Sequence, residues 1–269
     1  MANKPKKVKK KDLGMAIVRT AKGTATDKSS ALSMTVASVQ IPKDTSMVVG
    51  VGYDAGEGNP TMTWGNRVRQ PRVVQNALGV RCSLFVIFNN GATRTNDVVV
   101  EWDTTAPTAK AMFVTQIDEV RHRDYTATNS GSTTTPTSGA LVSTTYAEQY
   151  LTGLFVSEGP SGDTAGTPVL GYTSGQRAGT TGGAAISNIT IHETFKITTA
   201  TEDTRSRKTG ATARDWVVIA TGLKPIYTVV TDLRVTVKEV VALSQTEADS
   251  IIEADLLSRF SDPYSVVVI

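Results

Sequence analysis

The chain has 269 residues, 39% of them hydrophobic, enough to bury the core of one large β-sandwich with appendages or of two small domains. A single cysteine, Cys82, excludes internal disulfides, and no apolar run approaches the roughly 20 residues that span a bilayer, so no membrane partner is expected. The net charge of +3 is unevenly held: residues 1–12 carry six lysines and one acid, a net of +5, which leaves −2 for the remainder.

Lys4, Lys6, Lys7, Lys9, Lys10 and Lys11 repel one another and can build no core, so the segment is expected to be an extended arm. Either it solubilises the chain or it meets an acidic surface or nucleic acid, where each lysine displaces a counterion from phosphate. The start lacks the apolar stretch of a secretory signal, and folding is expected in a reducing cytoplasm.

Met15 to Thr20 reads as a short extended segment and Ala21 to Ser30 as a small-residue linker. Leu32, Met34, Val36 and Val39 then alternate as a strand that Ile41-Pro42 closes. Ser46 to Tyr53 is apolar enough for the centre of a sheet, with Gly50 and Gly52 marking a bulge or a close neighbouring backbone. After the turn signal DAGEGNP, Thr61 to Trp64 begins another strand, and a polar stretch runs from Arg67 to Asn76.

Arg81 to Phe88 and Asp97 to Trp102 flank NNGATRTN, which reads as a hairpin connection. Cys82, inside the first of these runs, is expected to be a small buried hydrophobe. Lys110 to Glu119 supplies the next strand, and Arg121 to Ser138 reads as a long surface loop. The apolar runs Leu151 to Val156, Ile186 to Ile197 and Trp216 to Leu223 form the heart of the domain, with an elaborate loop from Glu158 to Gly183 between them. Beyond Ile226, alternating residues suggest strands, and SQTEADSIIEADLLSRF from Ser244 carries an N-cap and a capping-box acid at Glu247, the signature of a helix. The chain ends in the strand-like SVVVI.

The expected fold is therefore all-β: an antiparallel β-sandwich over 30–225, preceded by an N-terminal basic arm and linker over 1–29 and followed by a C-terminal strand-helix extension over 226–269. The sandwich is expected to fold alone. In the extension, Ile252, Leu256, Val266 and Val268 are candidates for an interface with a neighbouring subunit, because a terminal strand with unpaired backbone groups can add to another sheet.

Chemical motifs are sparse. Asp54, Glu57 and Asn59, or Glu158 and Asp163, offer oxygen atoms to a hard cation, but neither set has EF-hand spacing and ordinary turn chemistry accounts for both. His122 and His192 lie far apart, Ser157 lacks a nucleophile elbow, and GQRAGTTGG at 175–183 is followed by no Gly-Lys-Ser/Thr. No catalytic residues, no metal site and no cofactor are expected. Tyr53, Trp64, Trp102, Tyr172 and Trp216 offer an alternative, stacking against sugar rings if exposed.

The succession MVVGVGYD, TWG, SLFVIFNN, DVVVEW, AKAMFV, SEGPSGDTAG, GQRAGTTGGAA and DWVVIATGLKP, over about residues 30–225, resembles a β-sandwich domain of tailed-bacteriophage structural proteins. The resemblance implies a jelly-roll-like sandwich that builds or decorates a particle, with no catalytic residues to carry over. The expectation that follows is a non-enzymatic virion protein, a capsid decoration or minor capsid protein, assembled in the host cytoplasm. Its partners would be other virion proteins (major capsid or tail subunits) and further copies of itself as a homo-oligomer, with nucleic acid possible through the arm. A tail or fibre component, or a glycan-binding sandwich that adsorbs to a cell surface, is the alternative.

Overall fold

Thr45–Asp54 (β3) has no exposed residue along its length, because it lies at the centre of a sheet that is covered on both faces. A computed structural model describes residues 17–54, 58–77, 79–89, 91–139, 149–198 and 205–225. Within them the central sheet has the order β1 (Arg19–Asp27), β9 (Lys110–Asp118), β3, β7 (Val80–Asn89), β6 (Val73–Ala77). One face meets a four-stranded sheet, β2 (Ser33–Ile41), β8 (Arg94–Glu101), β4 (Thr61–Trp64), β5 (Arg67–Arg69). The other meets a five-stranded sheet, β10 (Val120–Gly131), β16 (Trp216–Pro225), β11 (Gln149–Glu158), β14 (Ile189–Thr198), β13 (Thr173–Gly179). A two-stranded ribbon, β12 (Ala165–Pro168) and β15 (Lys208–Ala211), completes the set, and every described strand pair is antiparallel.

Three layers need two cores, and the two-residue period of the central strands supplies both. Met47, Val49, Val51 and Tyr53 of β3 join Phe85, Ile87, Met112 and Val114 against the four-stranded sheet, where Met34, Val36, Met62, Trp64, Val98 and Val100 meet them. Val48, Cys82, Leu84, Val86 and Phe113 point the opposite way, onto Tyr150, Leu154, Val156, Ile191, Val217 and Ile219. Burial on both faces is why β3, β7 and β9 read as continuous apolar runs, whereas β2, covered on one face, alternates between buried and exposed positions along most of its length.

Gly50 and Gly52 mark neither a bulge nor a neighbouring backbone, since β3 pairs with β7 and β9 in unbroken register. What fills their space is side chains: a Cβ on Gly50 would lie 2.5 Å from the Phe113 ring, and one on Gly52 would lie 2.6 Å from Val156. The missing side chains let the five-stranded sheet approach the central one.

Several expected loops are strands. The linker at 21–30 is largely β1, an edge strand of small residues and threonines that pairs with β9 from Arg19 to Asp27, with one register shift between Ala21 and Gly23. Edge strands expose one side, so their apolar signal is weak. For the same reason the polar stretch after Arg67 holds the edge strands β5 and β6, and the long loop after Arg121 is the twelve-residue edge strand β10. The loop from Glu158 to Gly183 contains β12 and β13, and Ile186 falls in a turn of 3-10 helix, Ala185–Ser187, before β14 starts at Ile189.

The expected hairpin through NNGATRTN is not one. β7 pairs with β3 and β6, and β8 pairs with β2 and β4, so this connection carries the chain from the central sheet to the four-stranded sheet. Asn89 secures the crossing by donating from Nδ2 to the carbonyls of Ile41, Pro42 and Ala92. The proposed extension at 226–269 lies outside the described residues.

Candidate functional site

The most developed polar constellation centres on a carboxylate that is closed to solvent. Glu193 is 0% exposed and faces the central sheet from β14, two residues beyond Ile191. Arg19 of β1 forks onto its carboxylate through Nε and Nη2, the Nε bond being 3.2 Å. The Tyr150 hydroxyl donates to Oε1 at 3.2 Å, and the Thr115 hydroxyl and the Gln176 amide N–H each donate to Oε2 at 3.1 Å. Donors from both sheets therefore meet one acid. The arginine carbon also sits 4.7 Å from the centre of the Phe195 ring.

Electrostatics follow from this enclosure. Burial opposes the Arg19 charge, but the hydrogen bond and charge of Glu193 outweigh it and raise its pKa above the ordinary value. Burial, reinforced by Glu193, pushes the Tyr150 phenol well above its usual range. Gly175 is part of the fit, because a Cβ there would lie 2.5 Å from Glu193 Oε2.

A second ion pair closes the opposite end of β1. Lys110 is fully buried and its Nζ lies 2.8 Å from Asp27, while donating to the carbonyls of Ser29 at 2.8 Å and Pro107 at 3.2 Å. Burial disfavours the Asp27 carboxylate, but hydrogen bonds from Lys110 and Ser29 outweigh it and hold its pKa below the ordinary 3.8. The ammonium is also 5.9 Å from the Trp102 ring, which makes an edge contact with Tyr53.

On the outer face of the five-stranded sheet, β15 lies over Phe155, Trp216 and Val218. Lys208 is 3% exposed, with its Nζ 5.1 Å from the Phe155 ring centre. Burial first, then Arg177, lowers its pKa from 10.5 to about 7. Neighbouring His192 is lowered from 6.5 to about 3 by burial, then by Lys208 and Arg177. The His192 Nδ1 and Trp216 Nε1 atoms are buried without a hydrogen-bond partner.

The other candidate residues are distributed differently from the sequence expectation. Asp163 pairs with Arg214 at 2.8 Å, and the Thr108 hydroxyl donates to Asp54. Glu57 is outside the described residues, as are the lysines of the arm (Lys4, Lys6, Lys7, Lys9, Lys10, Lys11) and the expected interface residues Ile252, Leu256, Val266 and Val268. Among the described residues no group of three His, Cys, Asp or Glu is placed to hold a metal ion. Of the glycines at 175–183, Gly175 and Gly179 serve close approach, a Cβ on Gly179 lying 3.0 Å from the Ser161 backbone, whereas Gly182 faces open space at a φ of +86°. Tyr53, Trp64, Trp102, Tyr172 and Trp216 are all buried, so these residues form no exposed stacking platform for a sugar.

Arg19, Asp27, Lys110, Glu193 and Lys208 were not singled out by the sequence reading. The available signal was a charge inside or beside an apolar β run, as in KAMFV and ITIHETF. The sequence also holds a second basic segment: residues 58–96 contain Arg67, Arg69, Arg72, Arg81 and Arg94 with no lysine and no acid. Among the described residues none of these five has a carboxylate at ion-pair distance. No protein-family model matches the chain, and no curated protein matches it.

Proposed function

We propose that the chain is a non-enzymatic structural protein of a bacteriophage virion, a capsid decoration or minor capsid protein. The observation that carries this reading is the Arg19–Glu193 constellation, in which the acid is enclosed and its acceptors are met by donors of this same chain. A catalytic carboxylate must reach its substrate within hydrogen-bond distance. Glu193 instead ties two sheets together, as suits a subunit that transmits load.

The same proposal includes the jelly-roll-like description of the sandwich and a strand-helix extension at 226–269 that reaches neighbouring copies or other virion proteins. Arg72 and Arg94, exposed and without a carboxylate at ion-pair distance among the described residues, together with the lysine arm, suit contact with acidic neighbours or packaged nucleic acid, because exposed cations of one sign attract a polyanion. Burial of the five aromatic residues removes the particular support that the glycan-binding alternative had.

Quantitative mass spectrometry of purified particles, followed by cryo-electron microscopy, tests the proposal. The expected result is a fixed copy number per particle and density for the three-layered domain in a symmetric array on the shell. Its absence from purified particles overturns the proposal, and density confined to the tail moves the chain to the fibre class.

A further inference from the structure

We propose that the cleft beneath β15 binds one small monovalent anion of chloride size, held by the Lys208 ammonium and the Trp216 indole N–H. Three observations converge on that cleft. Lys208 is 3% exposed, and among the described residues no carboxylate lies at ion-pair distance from it. Trp216 is 4% exposed, and its Nε1–H has no acceptor. Both residues line one cavity of about 20 Å³, walled also by Phe155, Thr190 and Ala165.

A buried ammonium without a counter-charge is costly, so it either loses its proton or acquires an anion. Two carboxylates, Glu158 and Asp163, also line the cleft, but both are poor counter-ions. Asp163 is committed to Arg214, and Glu158 is itself shifted upward by burial and then by Asp215, so it resists further desolvation as an anion. A water could accept from the indole but would leave the ammonium charge uncompensated. An anion answers both needs.

Size selects among anions. The volume exceeds the roughly 10–15 Å³ needed for one water-sized occupant, which a halide matches, and a single ammonium balances a single negative charge. The Thr190 hydroxyl is not available as a further donor, because it already donates to the Gly159 carbonyl at 2.9 Å.

Binding of the anion is linked to protonation of Lys208. Facing the amine or close to it are His192 on β14, Arg177 on β13, Glu158 on β11, and Asp163, Arg214 and Asp215 in the flanking loops. In the empty cleft burial and Arg177 bring the amine to about 7. An anion raises that value, and its own affinity falls by about tenfold for each pH unit once the amine of the empty cleft is mostly neutral.

The test is thermal melting of the full chain in chloride or bromide against gluconate, which is too large for the cleft, at constant ionic strength so that screening is equal. At about pH 6 the halides should raise Tm saturably while gluconate does not; at about pH 9 the halide effect should be lost. Lys208→Met should abolish the difference, and in bromide-soaked crystals an anomalous peak should lie beside Lys208 Nζ and Trp216 Nε1. Should Lys208→Met fail to fold, Trp216→Phe keeps an aromatic ring at the site, removes the donor and should weaken halide binding severalfold. Equal melting in halide and gluconate at about pH 6, halide dependence that survives both variants, or no bromide in the cleft overturns the proposal.

Discussion

Arg19 and Glu193 are 174 positions apart in the chain, and their bidentate contact joins the edge strand of the central sheet to β14 of the five-stranded sheet. Such a pair makes truncation more damaging than replacement. Removing one partner leaves a charge buried alone, which costs about 3–5 kcal/mol, whereas replacing both with apolar residues of similar volume is often close to neutral. Arg19→Met should therefore destabilise by about that amount in denaturant melts. The double variant Arg19→Met with Glu193→Leu should recover most of the loss. A single variant no worse than the double would show that the pair contributes no coupling between the layers.

Acid stability should report His192. Its folded pKa of about 3 lies below the ordinary 6.5, so between those values the unfolded chain holds a proton that the folded chain lacks. Stability from this residue is complete above 6.5 and declines as pH falls toward about 3. Replacement by glutamine removes the titration and should flatten the fall of unfolding free energy over that window. An unchanged slope in His192→Gln would mean that the ring is hydrated in solution.

Gly52→Ala should test how closely the sheets approach. The added carbon would meet Val156 at 2.6 Å in a strand whose two registers are unbroken, which leaves little room for relaxation. Overpacking of this kind costs about 1–3 kcal/mol, and the expected result is a matching fall in Tm. Adding Val156→Ala should restore part of it, since that change removes the contacts at 2.6 and 2.8 Å and leaves the one with Ile191 at 2.4 Å.

What could be read from the sequence depended on how many faces of a strand are covered. Residues 46–53 and 110–118 announced themselves because both faces are apolar, and Met34, Val36 and Val39 alternated because one face is. Arg19–Asp27 and Val120–Gly131 stayed hidden as edge strands, the first with a buried side that is partly charged. The third layer was illegible for a different reason. Nothing local in NNGATRTN distinguishes a hairpin from a passage between sheets, and the choice is made by Asn89 bonding to Ile41 and Pro42, 48 and 47 positions away. The buried sites suffered likewise, because Glu193 finds Arg19 and Thr115 only once the layers have stacked.

The boundary of the folding unit is tested by comparing two fragments. A fragment beginning at residue 30 contains the alternating strands the sequence advertises, yet it lacks β1 and with it both Arg19 and Asp27. Glu193 would then lose its guanidinium and Lys110 its carboxylate, two buried charges abandoned at once. Each such loss costs about 3–5 kcal/mol, against a total stability of about 5–15 kcal/mol for an ordinary domain. The edge of β9 would also be left with unpaired backbone groups along its length. A fragment over 17–225 should therefore melt cooperatively with a β-rich circular dichroism spectrum, and one over 30–225 should be unfolded or aggregated. If the shorter fragment melts at the same temperature as the longer one, β1 is an ornament, and the two buried ion pairs contribute nothing to holding the layers together.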